Sequence, residues 1–515
     1  MPSAADFGVH DLTVPLLLAA LVVLLALVAV RVSARSGLPT MLLYLAIGLA
    51  VGESGLGVRF DDTQLTQVLG YGALVLILAE GGLTTSWPAI RRSVGPAAVL
   101  STFGVVVSVL VVAAAAHWVL GMSWSVALVV GAVLSSTDAA AVFSVLRTVP
   151  LPRRLSGMLE AESGFNDAPV VILVTSFSLA LADGGRAEPW WVLLLRAVVE
   201  LVGGTLVGVL VGWVGGRLVR RLAGGASGLF AIGVITLAVL AYAVAAAAHL
   251  SGFIAAYLAA LVLGNMGLPH RAAVHGFAEA LGTLAQIGLF VLLGLLASPP
   301  RLGSQLVPAL VVGIVLVVLA RPLSVFVSLT PFRIGARDQL FLSWAGLRGA
   351  VPVVLATVPS TLGARGTEWI FDLVFVLVVV NTIVQAPTLP WVARRLRVTE
   401  SVRPLSVQLE TTVLEQMHAE VVTATVGPES RLHGVEIFEL CLPLDAQITL
   451  VFRDGHPLVP TGHTRLRHGD QFLLVAAARS REAAERRILM VSRHGRLAGW
   501  SPDPPRNSAG GSGRS

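Results

Sequence analysis

Runs of about 20 predominantly apolar residues, the length of a membrane span, recur through the first 395 positions, separated by short links that carry Arg, Gly and Pro. Thirteen such windows are present, centred near residues 22, 46, 73, 107, 135, 170, 202, 238, 258, 287, 315, 347 and 380. The eighth and ninth are parted only by His249, Leu250, Ser251 and Gly252. The pattern predicts an all-α polytopic membrane domain over residues 1–398. The first run starts near Val14 with no Arg before it, so it lacks the basic lead of a signal peptide and reads as a retained helix. After Arg397 apolar and charged positions mix, and residues 402–484 read as a small soluble α+β domain. Residues 447–452 and 471–475 have strand composition, Asp454-Gly455 is a turn signal, and 413–417 reads as a short amphipathic helix. Residues 485–515 read as a flexible tail, rich in Pro, Gly and Ser from Ser501 onward.

Charge fixes the orientation. Arg residues alternate between connections: Arg31 and Arg35; Arg91 and Arg92; Arg147, Arg153 and Arg154; Arg217, Arg220 and Arg221; Arg271; Arg333 and Arg337; Arg394, Arg395 and Arg397. These are 16 residues, against Arg59, Arg186, Arg301 and Arg365 on the other set. Under the positive-inside rule the N-terminus is outside and the C-terminal domain lies in the cytoplasm, in a multi-pass protein of the cytoplasmic membrane. Composition agrees: the 515 residues are 55% hydrophobic and 13% charged, with a mean hydropathy of +0.82, whereas a soluble chain carries about a quarter charged residues. The net charge of +6 therefore belongs to topology and not to nucleic-acid binding. The single cysteine, Cys441, excludes an internal disulfide framework.

Polar residues inside the fifth, sixth and twelfth windows carry the chemistry. The fifth holds Ser135-Ser136-Thr137-Asp138, the twelfth Gly346, Arg348, Gly349 and Pro352, and the sixth ESGFND at 162–167. Helix-breaking residues at membrane depth are tolerated where backbone lines a cavity or packs on protein. If windows one to six and eight to thirteen form two inverted six-helix repeats, the two interrupted helices are the fifth member of each, the pattern that points to a transporter's binding site. At 1.5 Å per residue, Asp167 lies ~20 Å past Arg154, Asp138 ~22 Å past Ser123 and Arg348 ~15 Å past Asp338. All three fall near mid-membrane.

An acid at that depth costs at least ~2.5 kcal/mol. Ser163 and Asp167 share one helix face, and Glu162 and Asn166 form the neighbouring stripe. Asp167, Ser163 and Thr137 offer the hard oxygens that an ion losing its water needs. Glu162 is the expected partner of Arg348, because an unpaired buried charge is prohibitive. Desolvation disfavours a bare Asp167 carboxylate, so it is expected to hold either a proton or a cation, never both. That exclusion suffices for exchange if the site opens to each side in turn, one proton against one monovalent cation. Two readings of other classes stand beside it: a static ion-pair network holding the bundle together, and a gated cation channel or ion-sensing receptor that binds the ion without proton exchange. Neither a nucleophile–base pair, a zinc spacing nor a phosphate loop is in view, so an enzyme is not expected. Glycine runs such as GGTLVG read as helix-packing surfaces, Glu200 as a local partner of Arg196, Glu80 as a packing or helix-end residue, and His117 and His249 as interfacial.

The segments SSTD, ESGFND and LRGAVP, with LILAEGGL at 76–83 and SGFIAAYLAALVLGN at 251–265, resemble the monovalent cation/proton antiporter family, on its Asn-Asp branch, over about residues 10–395. The resemblance implies that Asp167 binds cation or proton in alternation. It implies that Thr137, Asp138 and Ser163 surround the ion, Asp138 through water or backbone, and that Asn166 is the neutral partner of Asp167. It further implies a Glu162–Arg348 ion pair, a homodimer and a role in pH homeostasis. Ala139 departs from relatives that carry Pro there. The stretch 430–478 resembles the TrkA-type C-terminal domain of potassium transport proteins, which implies a dimerising module that in some cases binds a small ligand such as cyclic di-AMP. That attachment favours potassium over sodium, which stays open. No cofactor is expected in the membrane domain.

Overall fold

Each of the thirteen apolar windows holds helix among the described residues, but the windows do not all make full spans. The computed structural model describes residues 13–495 apart from 37, 54, 59, 61, 139–150, 185–188, 223–226, 400–406, 415–418, 429, 478 and 479. The expectations for Ala139, Arg147, Arg186 and the tail from Ser501 fall outside the described residues. The chain divides into two compact units, residues 1–400 and 401–515.

In the first unit α1 (Thr13–Ser36), α2 (Thr40–Val51), α3 (Thr63–Thr84) and α4 (Val94–Leu120) lead to α5 (Trp124–Ser135), where the chain leaves helical geometry. The second group is α6 (Arg153–Ala182), α7 (Trp190–Leu222), α8 (Ser227–Ala247), α9 (Gly252–Asn265) and α10 (Arg271–Leu296). Then come α11 (Pro299–Phe332), the bent pair α12 (Ala336–Ala345) and α13 (Ala350–Thr361), and α14 (Glu368–Leu396). Nine of these are long and apolar enough to cross a membrane, and α12 with α13 adds a tenth span bent by 53°. The remaining helices, α2, α5 and α9, have only 12, 12 and 14 residues, so thirteen windows exceed the number of full spans among the described residues.

Local sequence explains the irregular places. Gly204, Gly208 and Gly212 recur every fourth residue on α7, and a Cβ at each would strike Ser251, Ala255 or Ala259 of α9. The GGTLVG stretch is thus a close helix–helix contact, as small residues permit in membranes. The rest of α7 presents apolar side chains outward, among them Trp191, Leu195, Leu206 and Leu210. Glu200 pairs with Arg196 at 2.8 Å on that helix. Glu80 packs on Gly282 of α10, and His117 stacks on Trp124 at 4.3 Å between centroids. A π-turn interrupts α4 at Leu100–Gly104 and another interrupts α11 at Leu316–Ala320. Each packs against the partner helix. These are the fourth members of the two six-helix halves, just as the interrupted helices are the fifth, which fits an inverted arrangement. Such bulges widen a helix where side chains must be re-aimed.

The second unit is a five-stranded antiparallel sheet in the order β1-β2-β5-β3-β4, made of β1 (Val407–Leu414), β2 (Ala419–Val426), β3 (Ala446–Arg453), β4 (His456–Leu458) and β5 (Gln471–Ala477). Two expectations are corrected here. Val413 and Leu414 are strand and not helix, because β1 pairs with β2 through Leu414↔Ala419. The flexible tail does not begin at 485: α15 (Arg481–His494) buries Ala484, Ile488 and Val491 in the same core as Phe472 and Leu474. Three apolar positions at helical spacing make that segment part of the domain. Asp454-Gly455 forms the predicted turn, with both residues at positive φ. Hydrogen bonds from His463 and Arg465 hold the exposed Glu436 carboxyl below the usual Glu range.

Candidate functional site

The end of α5 meets the break between α12 and α13. After Ser135 the chain turns extended at Ser136, and between α12 and α13 residues 346–349 leave helical geometry. The Asp138 amide donates to the Leu347 carbonyl at 3.0 Å. The Ala350 amide, at the start of α13, donates to Asp138 Oδ2 at 2.9 Å. Arg348 Nε donates to the Leu134 carbonyl at 2.9 Å, at the end of α5, and Nη1 to Gly346 O at 3.1 Å. An acid thus caps the positive end of one half-helix and a base caps the negative end of the other, each matched to the macrodipole it meets. Carbonyls and amides freed by a break must be satisfied internally in a membrane, and these two side chains do it. Gly349 is required for this crossing, because a Cβ there would fall on the Asp138 carboxylate.

Helix α6 runs past the crossing. Its Asp167 accepts a hydrogen bond from Ser136 Oγ at 3.0 Å, and Asn166 Nδ2 donates to Thr137 Oγ1. Asn166 Oδ1 is buried with no hydrogen-bond partner among the described residues. Two residues after Asp167, Pro169 lies inside the helix. It has no N–H to bond back to the Phe165 carbonyl. All seven residues predicted from sequence are buried, with exposures of 1–5%. The structure joins Asp167 and Asn166 to the broken α5 and joins Asp138 and Arg348 across the crossing. Ser163 is buried one turn before Asp167, but Ser136 is the hydroxyl that meets the carboxylate.

The expected Glu162–Arg348 pair is corrected. Glu162 is held by Arg321 of α11, with Nη1 to Oε1 at 2.5 Å and Nη2 to Oε2 at 2.8 Å. Both partners are almost fully buried. A parallel two-pronged guanidinium–carboxylate contact is the strong geometry for such a pair, and Arg348 is already committed to carbonyls. Arg321 immediately follows the π-turn of α11, while Ser101 in the π-turn of α4 donates to the Glu162 carbonyl at 3.1 Å. The bulges therefore set the two flanks of Glu162. Sequence reasoning missed Arg321, although an Arg within the eleventh apolar window is a signal in itself. It also left Ser136 without a role.

At the crossing the buried charged side chains are three acids (Asp138, Glu162 and Asp167) against two guanidinia (Arg321 and Arg348), while a further buried acid, Asp372 of α14, lies beside Arg301. One negative charge is left over, at Asp167. The oxygens around it, from Ser136, Thr137, Ser163 and Asn166, are hard and neutral, which suits an alkali cation. Among the described residues no three His, Cys, Asp or Glu cluster as a transition-metal site would require.

Residues 20–395 match the transmembrane sodium/hydrogen exchanger family, and residues 421–489 the TrkA-C domain. The chain is 36% identical over 460 residues to the K(+)/H(+) antiporter NhaP of Alkalimonas amylolytica, covering 88% of this chain and 79% of that one. It is 34% identical to the K(+)/H(+) antiporter NhaP2 of Shewanella oneidensis, with coverages of 91% and 82%. It is 27% identical to the Na(+)/H(+) antiporter NhaS2 of Synechocystis, with 78% and 74%. The fold is similar to that of the sodium proton antiporter MjNhaP1 from Methanocaldococcus jannaschii, with a TM-score of 0.67 at 22% identity over 76% of this chain and 100% of that chain.

Proposed function

The chain belongs to the sodium/hydrogen exchanger family, and from that premise we propose that it trades potassium for protons through competition of the two ions at Asp167. Cation/proton antiport is the activity; potassium, the stoichiometry and the role of Asp167 are the reading argued here. One observation carries it. Of the three acids buried at the crossing, Glu162 is taken by Arg321 and Asp138 by the first amide of α13, whereas among the described residues Asp167 receives one hydroxyl. A carboxylate left with one neutral donor in a dry site binds a counter-ion or a proton. With one surplus negative charge at the site, one proton and one monovalent cation are interchangeable there, which makes the exchange electroneutral.

The site works by alternating access. Loaded from one side, Asp167 carries a cation held also by Ser163, Thr137 and Asn166. Exposed to the other side, it releases that cation to a proton. Asp138 and Arg348 keep the two half-helices together throughout, and the Glu162–Arg321 pair ties α6 to α11. Potassium is favoured because the relatives at 34–36% identity are named for it and because the second unit matches a TrkA-C domain. The same reading has the N-terminus outside, the TrkA-C domain in the cytoplasm, a homodimer, and control by a small ligand of which cyclic di-AMP is the candidate.

The test is proteoliposomes with an internal pH dye, given lithium, sodium, potassium or rubidium while a permeant lipophilic ion clamps the voltage. Potassium is expected to drive the largest proton movement, unchanged by the clamp. A proton signal that vanishes under the clamp would mark a channel, and a larger sodium response would remove the potassium assignment.

A further inference from the structure

The third acid of α6, Glu160, takes no part in the crossing. Glu160 is seven residues before Asp167, so it lies within about 20° of the same helix face and about 10 Å nearer the Arg153 end. It is only half-buried, whereas Ser163, Gly164 and Asp167 on that face are buried. Among the described residues no basic side chain pairs with it. An acid within a span faces the protein interior or a watery cavity, and the buried residues that follow it show which way its face points. Glu160 stands where that face opens.

Between the two acids a tyrosine packs on the helix. Tyr257 of α9 presents the hydroxyl-bearing end of its ring to Gly164, closely enough that a Cβ on Gly164 would fall within the ring. Gly164 is one turn from Glu160 and three residues from Asp167, so the ring tip lies at the level between them. Tyr257 is 2% exposed, and among the described residues its hydroxyl, next to Thr85 and within electrostatic reach of Glu160, closes no hydrogen bond of ordinary geometry. A buried phenol normally finds a partner. An unsatisfied one beside an open carboxylate is poised to meet something that passes.

We propose that Glu160 and the Tyr257 hydroxyl form an entry subsite for the monovalent cation, two helical turns from Asp167 on the side of the Arg153 end. The carboxylate gathers the cation from water, and the phenol oxygen replaces part of its hydration shell as it passes Gly164. Glu160 is a docking residue and Tyr257 a positioning residue; neither replaces Asp167. The subsite rests on the exchange reading and adds sidedness to it, because its carboxylate serves only one entrance.

The test is cation-driven proton movement in oriented proteoliposomes, with cation added to one face or the other. Glu160→Gln is expected to raise the half-saturating cation concentration about fivefold at the face bearing the Arg153 end, the effect of losing one close charge in water. Half-saturation at the opposite face and turnover at saturation stay as in the unaltered protein, and Glu160→Asp restores most of the loss. Tyr257→Phe, which keeps the ring and its packing, is expected to slow turnover at saturating cation several-fold while its melting temperature holds. Equal shifts at both faces, or no shift with Glu160→Gln, would overturn the subsite. No cation-driven exchange in the unaltered protein would instead overturn the antiport reading beneath it.

Discussion

At the scale of residues, the site separates acids by what each is given. Among the described residues Asp167 keeps a single hydroxyl donor, so Asp167→Asn, which cannot titrate, is expected to abolish cation-driven proton movement while insertion and melting stay near normal. Measurable exchange in that variant would take Asp167 out of the mechanism. Glu162 and Arg321 are coupled as a buried pair. Removing Glu162 alone orphans a guanidinium and is expected to cost about 3–5 kcal/mol of stability. A double-mutant cycle of Glu162→Gln with Arg321→Met should return a coupling above ~1 kcal/mol, and the cycle of Glu162→Gln with Arg348→Met a smaller one. Thermal unfolding in detergent reads both, and the reverse order would restore Arg348 as the partner of Glu162. The first pairing was not legible because the sequence shows which residues are charged at one depth but not which helix faces which. Arg321 and Arg348 were equally eligible by depth; only the packing of α11 against α4 and α6 chose.

At the scale of elements, the broken helices depend on two opposed caps. Gly349→Ala would push a methyl group onto the Asp138 carboxylate and separate it from the α13 amide. It is expected to destabilise by about 1–3 kcal/mol and to lower turnover, as seen by melting and by dye dequenching on the same preparation. Wild-type values in both would mean that the crossing relaxes freely. In the sheet domain Glu436 has its carboxyl depressed by His463 and Arg465. Its contribution is therefore full above the ordinary Glu range and fades as pH falls through the lower folded value. Glu436→Gln is expected to flatten the acid side of that domain's melting profile against pH; an unchanged profile would remove the contact from its stability. The end of α5 and the break after α12 were visible as Ser, Thr, Gly and Pro inside apolar windows. The π-turns of α4 and α11 were not, since VLSTFG and VLVVLA carry no composition that marks a widened turn.

At the scale of the molecule, two units of different character share one chain. The residues of the proposed exchange site all lie in the first unit, so a chain ending at residue 400 is expected to keep cation-driven proton movement when reconstituted. Loss of exchange with normal insertion would make the second unit part of the transport cycle and not a regulator of it. The thirteen apolar windows and the change of pattern after Arg397 were legible because hydropathy reports on solvent directly. The number of full spans was not, since α2, α5 and α9 are apolar yet too short to cross on their own.

By itself the sequence determined that the chain enters a membrane many times and where polar residues interrupt its apolar runs, because the cost of burying charge and backbone in hydrocarbon leaves so few arrangements. It also set the residue types that an alkali cation or a proton can use. Tertiary structure alone decided the pairings: Arg321 with Glu162, Arg348 with the end of α5, Asp138 with the start of α13, and Ser136 with Asp167. Partnership across helices depends on distance and direction between side chains hundreds of residues apart, and one-dimensional periodicity carries depth and face but no bearing toward a neighbour.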